Sequence, residues 1–312
     1  MSSSSPAMPH VAILMGCMNG VKYVAEQLDS FLAQTHSNWH LYVSDDGSTD
    51  GTLELLEQYK EKMPGRLTVF QGPRKGFAEN FLSLVCNESI EADYYSYSDQ
   101  DDIWVADKLS LAVAWHQSLP DQHPALYGST TILVDVNANE IGRSEIFQKP
   151  FSFQNALLQN VAPGNTMVFN KATRDIMRQA GRGLGVIAHD WWTYIVTTGS
   201  GGHVFIDPVP GILYRQHGGN LIGANGTFSA KAIRARKLLA GALRQWGDAH
   251  VRALDLIKDR LSSENLSIYE LYRNSRNKGV LTRAYGLKRA GIYRQTMLGN
   301  IGIAVAVLLR KV

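Results

Sequence analysis

The sequence predicts an α/β fold: a mostly parallel central sheet flanked by helices, followed by a basic helical appendage at the C-terminus. Three observations predict it. Short apolar runs at Val11 to Met15, Leu41 to Ser44, Leu67 to Phe70 and Tyr94 to Ser98 have the length and composition of buried strands. Between them, apolar residues recur at helical spacing. Four strands alternating with three helices inside the first hundred residues is the pattern of right-handed crossover connections. From Ser229 onward the chain is rich in Lys and Arg and poor in strand formers, which sets the appendage apart.

Taken in order, Val11 to Met15 is followed by a turn at Asn19 and Gly20. Val24, Leu28, Phe31 and Leu32 then mark the first helix. The strand at Leu41 to Ser44 breaks at SDDGSTDGT, where Thr49 or Asp50 is placed to cap a helix whose apolar side carries Leu53, Leu56 and Tyr59. After Leu67 to Phe70, the residues Phe77, Phe81, Leu84 and Val85 give a third helix, and Tyr94 to Ser98 runs into DQDD. Strands are expected at Ala125 to Asp135 and Thr166 to Phe169, and a helix at Lys171 to Ala180. HDWWTYIV starts another helix, which Gly199 to Gly202 ends. Val204 to Ile206 and Ile212 to Tyr214 read as the last strands. The expected division is a disordered leader over 1–9, a catalytic domain over 10–225 with its halves meeting near 110, and a helical basic region over 226–312.

A length of 312 residues with 45% hydrophobic and 19% charged content is enough to bury a full core. A formal charge of +3 is too small to argue for nucleic acid as a partner. Cys17 and Cys86 fit no metal or redox spacing and read as free thiols of a reducing compartment. MSSSSPAMPH has neither the basic nor the apolar region of a signal peptide. No apolar stretch reaches the ~18 residues of a membrane span, and Ile301 to Leu309 is too short. The expected location is therefore the cytoplasm. Basic residues from Lys231 to Arg244 interleave with Leu238, Leu239, Leu243 and Trp246, and more run from Arg273 to Arg294. These allow peripheral contact with the inner face of the plasma membrane.

Ligands of parallel sheets bind at the carboxyl ends of the strands. Both acidic clusters fall there, so they should face one crevice although about fifty residues separate them. Asp99, Asp101 and Asp102 crowd like charges at one strand end. A hard cation, Mg2+ or Mn2+, relieves that crowding and bridges carboxylates to phosphate oxygens. The other reading is a solvated loop or helix N-terminus, but the cluster sits between an aromatic strand and Ile103-Trp104. At the other cluster, Asp45 and Asp46 can accept the imide N–H of a uracil or thymine ring, or can simply shape a turn.

An apolar strand, then SDDGSTDGT, then YSDQDDIW resembles the family 2 glycosyltransferases of GT-A fold, and the likeness continues to about residue 225. The resemblance implies an inverting, metal-dependent transferase. Asp46, beside Asp45, would hold the nucleotide base. Asp99 would contact the donor diphosphate, and Asp101 and Asp102 the metal, with Asp101 the first choice. Arg74 or Lys75 would contact base or phosphate. Asp190, in HDWW, falls at the position of the general base, with His189 in place of the usual Glu. Trp191 and Trp192 offer faces for a sugar ring, although core packing is the simpler reading for at least one. Tyr214-Arg215-Gln216-His217-Gly218-Gly219-Asn220 resembles the rhamnosyltransferase-like members that build surface polysaccharide. There His217 would complete the metal shell or contact phosphate, and Arg215 would neutralise the leaving group. Pro163 to Thr166 would line the acceptor side.

The implied partners are a dTDP- or UDP-sugar donor and a saccharide acceptor, free or lipid-linked. A nucleotidyltransferase would need a Gly-rich loop with Arg after the first strand, which Gly16 to Gly20 lacks. A phosphatase would carry its D-x-D after the first strand. A non-catalytic nucleotide-sugar or glycan-binding module is the remaining alternative, but it would be expected to have lost Asp101, Asp102 or Asp190.

Overall fold

The computed structural model describes residues 7–120, 122–217 and 242–311. The first hundred residues give β1 (Val11–Cys17), α1 (Val24–Leu32), β2 (Trp39–Asp45), α2 (Thr52–Lys62), β3 (Leu67–Gln71), α3 (Phe77–Val85) and β4 (Tyr94–Ser98). They are followed by β5 (Ile103–Trp104), α4 (Lys108–Gln117), β6 (Ala125–Val134), β7 (Glu140–Arg143), α5 (Phe153–Ala156), β8 (Val168–Asn170), α6 (Lys171–Ala180), α7 (His189–Gly199) and β9 (His203–Arg215). After the undescribed stretch come α8 (Ala242–Asp255), α9 (Ser263–Arg276), α10 (Val280–Arg289) and α11 (Met297–Leu308).

The strands form one sheet in the order β3-β2-β1-β4-β8-β6-β9-β5, with β7 paired to β6. β1 lies between β2 and β4, parallel to both, with Cys17 opposite Asp45 and Met15 opposite Ser98. The two acidic turns therefore leave strand ends on either side of β1. Strand alternation feeds two cores. Val11, Ile13 and Met15 pack with Leu28 and Phe31 of α1, Leu56 and Tyr59 of α2, and Leu109 and Val113 of α4. Ala12 and Leu14 face the other way, toward Phe81 and Leu82 of α3 and Trp192 and Ile195 of α7.

Several expectations are corrected. Leu32 and Leu53 lie outside the cores, because the buried faces of their helices run through Val24, Leu28 and Phe31 and through Leu56 and Tyr59. Gly51 occupies the cap position of α2 with φ of 94°, and Asp50 instead accepts from the Thr52 and Val21 amides. The two last strands are one, β9. Its pairing with β6 jumps from Ser129↔Asp207 to Thr131↔Ile212, so Pro208 and Pro210 sit in a bulge where a missing N–H breaks no ladder bond. In the expected leader, Asn38 donates to the Met8 carbonyl and His36 bonds that of Pro9, which ties both to the start of β2; residues 1–6 lie outside the described residues.

The boundary near 225, and Lys231, Arg234, Arg236, Lys237, Leu238 and Leu239, also lie outside the described residues. The described part of the C-terminal region shares a core with the catalytic half. Leu243, Leu254, Tyr269, Tyr272 and Ile303 belong to the same cluster as α3, α6 and α7. Arg276 and Arg283 are buried there, which removes them from any lipid-facing set. Among the described residues no helix is long and apolar enough to cross a membrane.

Candidate active site

The first acidic turn is stitched to the loop after β1. Asn19 N donates to Ser48 Oγ (2.8 Å), Thr49 N to Asn19 Oδ1 (2.9 Å), and Gly20 N to Thr52 Oγ1 (2.8 Å). Asp45 shapes the turn itself, accepting from Gly47 N (3.1 Å), Ser48 N (3.0 Å) and the Ser48 hydroxyl. Asp46 is buried, and its Oδ1 accepts from Arg74 N at 2.5 Å, so the Arg74-Lys75 loop closes on it. Arg74 takes a positive φ of 54° there, and both basic side chains are exposed.

Gln100 ties the second cluster to the same loop. Its amide donates to Met18 O (2.9 Å) and accepts from Met18 N (2.9 Å) and Cys17 Sγ (3.0 Å). Gly20 permits this approach, since a Cβ there would come within 2.3 Å of Gln100 Oε1. Asp99, Asp101 and Asp102 each turn a carboxylate oxygen into one space, all within 4.8 Å of one another. Burial first, then the charges of Asp101 and Asp190, push Asp99 up to about 8. Burial, Asp99 and Asp101 drive Asp102 well above the usual carboxylate range. An all-oxygen cluster held against its own repulsion fits a hard divalent cation. His217 Nε2 lies 2.7 Å from Asp101 Oδ2, and its ring packs on Tyr23 at 5.0 Å. A cavity of about 440 Å³ opens here, lined by Lys22, Tyr23, Asp101 and His217 among others.

A single turn, Gly164–Thr166, joins this cluster to Asp190. Asn165 Nδ2 donates to Asp102 Oδ2 (2.5 Å), while the neighbouring Gly164 N donates to Asp190 Oδ2 (3.1 Å). Asp190 opens α7, and its Oδ1 accepts from Trp191 N at 2.6 Å. Burial raises its carboxyl to about 6 despite those bonds and one from the Asn160 side chain. At that value the group is a carboxylate at neutral pH and still basic enough to accept a proton.

Residues 12–176 match the family described as Glycosyl transferase family 2. The dTDP-rhamnosyl transferase RfbG of Shigella flexneri is 31% identical over 230 residues, 70% of this chain and 77% of that protein. The chain belongs to glycosyl transferase family 2. A second family relative, UDP-Glc:alpha-D-GlcNAc-diphosphoundecaprenol beta-1,3-glucosyltransferase WfgD of Escherichia coli, is 27% identical over 49% of this chain and 57% of its own length. Among solved structures, S. aureus TarS 1-349 in complex with UDP-GlcNAc superposes with a TM-score of 0.52 at 16% identity, covering 91% of this chain and 93% of that one. The mannosyltransferase PcManGT of Pyrobaculum calidifontis, in complex with GDP-Man and Mn2+, gives 0.50 at 17%, covering 98% and 86%. The fold is GT-A.

Within this family frame, three expected contacts have other partners. Trp191 and Trp192 are both buried; Trp191 Nε1 donates to Ala156 O (2.7 Å) and its ring meets Trp246 and His250 edge-on, so neither tryptophan offers a sugar platform. The Arg215 guanidinium is buried and bonded to Glu26 (2.8 Å), Asp101 O (3.0 Å) and Val136 O (2.8 Å). It braces the DQDD backbone from below, while its own N–H donates to Asp102 Oδ1 (3.1 Å). Gly218, Gly219 and Asn220 lie outside the described residues.

Two residues make contacts that were not anticipated. Lys108 is buried under the cluster, 3.4 Å over the Trp104 ring, with Nζ donating to Ser96 Oγ (2.8 Å). Burial pulls its pKa far down, against the attraction of Asp102. The signal was a lysine on the buried face of a helix, one place before Leu109. The other is Asn165, whose role in holding Asp102 depends on a contact across sixty-three residues of sequence.

Proposed function

We propose that the chain transfers a sugar, with inversion at the anomeric carbon, from a nucleoside-diphosphate donor to a hydroxyl of a saccharide acceptor during synthesis of a cell-surface polysaccharide such as O-antigen or capsule. The observation that carries the reading is the Gly164-Asn165 turn, which grips Asp190 with one residue and Asp102 with the next. Base and diphosphate cluster are thereby held in fixed relation, as transfer across one bond demands.

In this reading Asp190 takes the proton from the acceptor hydroxyl as its oxygen forms the new bond to the anomeric carbon. The bond from that carbon to the diphosphate oxygen breaks, and its electron pair leaves with the nucleoside diphosphate. Asp101, Asp102 and His217 would hold Mg2+ or Mn2+, with Asp99 beside the diphosphate. Neutralisation of the leaving diphosphate is the chemistry a bound cation supplies. Asp46 accepts from the base, with Arg74 or Lys75 on base or phosphate. Similarity to a dTDP-rhamnosyl transferase favours dTDP-rhamnose as donor, with a UDP-hexose as the other choice. Similarity to a transferase acting on a diphosphoundecaprenol-linked sugar favours a lipid-linked acceptor.

Calorimetric titration with dTDP and UDP, with Mn2+ or EDTA, on wild type and Asp101→Ala tests the donor site. Metal-dependent binding that the variant weakens at least tenfold is expected. No binding of either nucleotide under any condition would sink the reading. Binding without transfer to any lipid-linked acceptor from any donor sugar would favour the non-catalytic module.

A further inference from the structure

The last helix of the described chain shows solvent a face with no polar group on it. α11, Met297 to Leu308, contains no charged residue. Its inner side packs Ile303, Ala306 and Val307 into the core. Its outer side leaves Met297 78%, Leu298 81%, Ile301 50%, Val305 40% and Leu308 66% exposed. Positions 297, 301, 305 and 308 repeat at helical spacing, so these side chains form one stripe along the helix. On α10, which packs against α11, Leu281 and Tyr285 are also exposed, at 86% and 62%. Scattered surface leucines are ordinary, but a contiguous apolar stripe of this kind marks a contact surface.

Charge says what kind of surface covers it. From Leu271 to the end the sequence holds nine Lys and Arg and no Asp or Glu. The +3 of the whole chain less this +9 leaves −6 on the remainder, so the positive charge is concentrated in the segment that carries this stripe. Arg276 and Arg283 are buried, but Lys278, Lys288, Arg289 and Arg310 are exposed, with Lys311 half-buried beside them. An apolar stripe on a segment rich in exposed cations and without acidic residues complements an anionic lipid surface, where acyl chains take the stripe and headgroups take the cations. A second copy of this chain would have to bring like charge against like.

We propose that α11, with the exposed residues of α10, lies in the interface of an anionic membrane as a peripheral anchor. The helix is far too short to span, so it rests at headgroup depth. It is firmly joined to the catalytic half. Gln295 N donates to Gln159 Oε1 (2.9 Å), Lys149 N to Gln295 Oε1 (3.0 Å), and Asn155 Nδ2 to Tyr293 O (3.2 Å). Asn155 belongs to α5, which packs on α7, the helix whose first turn carries Asp190. Of the basic residues expected from the sequence the anchor uses Lys278, Lys288 and Arg289, adds the apolar stripe of α11 that the sequence reading did not use, and stands whether or not the transfer reading does.

The test is flotation of the full chain with vesicles of phosphatidylcholine alone or with about a third phosphatidylglycerol. The expected result is binding to the anionic vesicles that falls at high salt, with at least tenfold less on the neutral ones. Leu298→Asp with Ile301→Asp, and separately Lys288→Gln with Arg289→Gln, should each weaken it about tenfold. All four positions are exposed, so unchanged thermal midpoints and nucleotide affinity would show that the variants fold. No flotation on anionic vesicles, or flotation indifferent to both pairs, overturns the proposal. So does a concentration-dependent dimer in sedimentation equilibrium that Leu298→Asp dissociates, since a second copy would then cover the face.

Discussion

As the proposed base, Asp190 carries opposite demands from chemistry and from folding. Its carboxyl is held at about 6 by burial, above the ordinary 3.8. A base must be unprotonated, so kcat/KM should fall about tenfold per pH unit below 6 and level off above it. Stability runs the other way. A carboxyl whose folded pKa is raised favours the protonated fold, so stability is full below about 4, declines as pH rises to 6, and is least above that. Two units correspond to roughly 2–3 kcal/mol. Asp190→Asn should therefore abolish turnover yet raise the thermal midpoint by several degrees at pH 7.5, with the gap closing near pH 4. Equal midpoints at both pH values would show that the carboxylate is not strained by its burial. Asp190 was visible in the sequence through its motif, but its pKa was not. That value comes from the burial of the carboxyl itself, which no spacing of residues reports.

At the level of elements, the short turn Gly164–Thr166 decides the geometry. A Cβ on Gly164 would stand 2.8 Å from His189 Nε2 and 3.1 Å from Asp190 Cβ, both parts of a helix start packed into the core. Gly164→Ala should displace that helix start and lower kcat by one to two orders of magnitude, with the donor affinity little changed. Asn165→Ala should do the reverse. It leaves Asp102 with one less donor in a buried site, so Mn2+-dependent nucleotide affinity should weaken by about tenfold or more. Titration of both variants with nucleotide and metal, beside single-turnover rates, separates the two. The strands and helices before residue 100 were legible because each is a local pattern, a short apolar run or a repeat near 3.6. β9 was read as two strands because its bulge with Pro208 and Pro210 looks locally like a break. Arg215 was read as a ligand of the leaving group, and its bonds to Glu26 and Val136 could not be read from the sequence because both partners lie far from it along the chain.

For the whole molecule, the decisive question is whether the C-terminal helices are an appendage or part of the core. Composition suggested an appendage, since the change after Ser229 is abrupt. The contacts argue for one body. Trp246 of α8 meets Trp191 of α7 edge-on at 5.7 Å, and Asn265 Nδ2 donates to Thr198 O (2.8 Å) at the far end of the same helix. Tyr272 is wholly buried, with its hydroxyl receiving from Arg276 Nη1 (2.8 Å), whose Nη2 donates to Asp248 (2.7 Å) and Arg244 O (2.8 Å). An appendage would melt on its own and leave the catalytic half folded. One body melts once, so tryptophan fluorescence, which reports Trp191 and Trp246 together with the other four tryptophans, should follow the same curve as far-UV circular dichroism. Tyr272→Ala removes a large core ring and leaves the Arg276 guanidinium short of a partner, which should cost roughly 3 kcal/mol or more. The whole transition should then move down by several degrees, with both probes still coincident. Separate curves, or a variant in which only fluorescence shifts, would instead mean that α7 holds its place without the helices packed behind it.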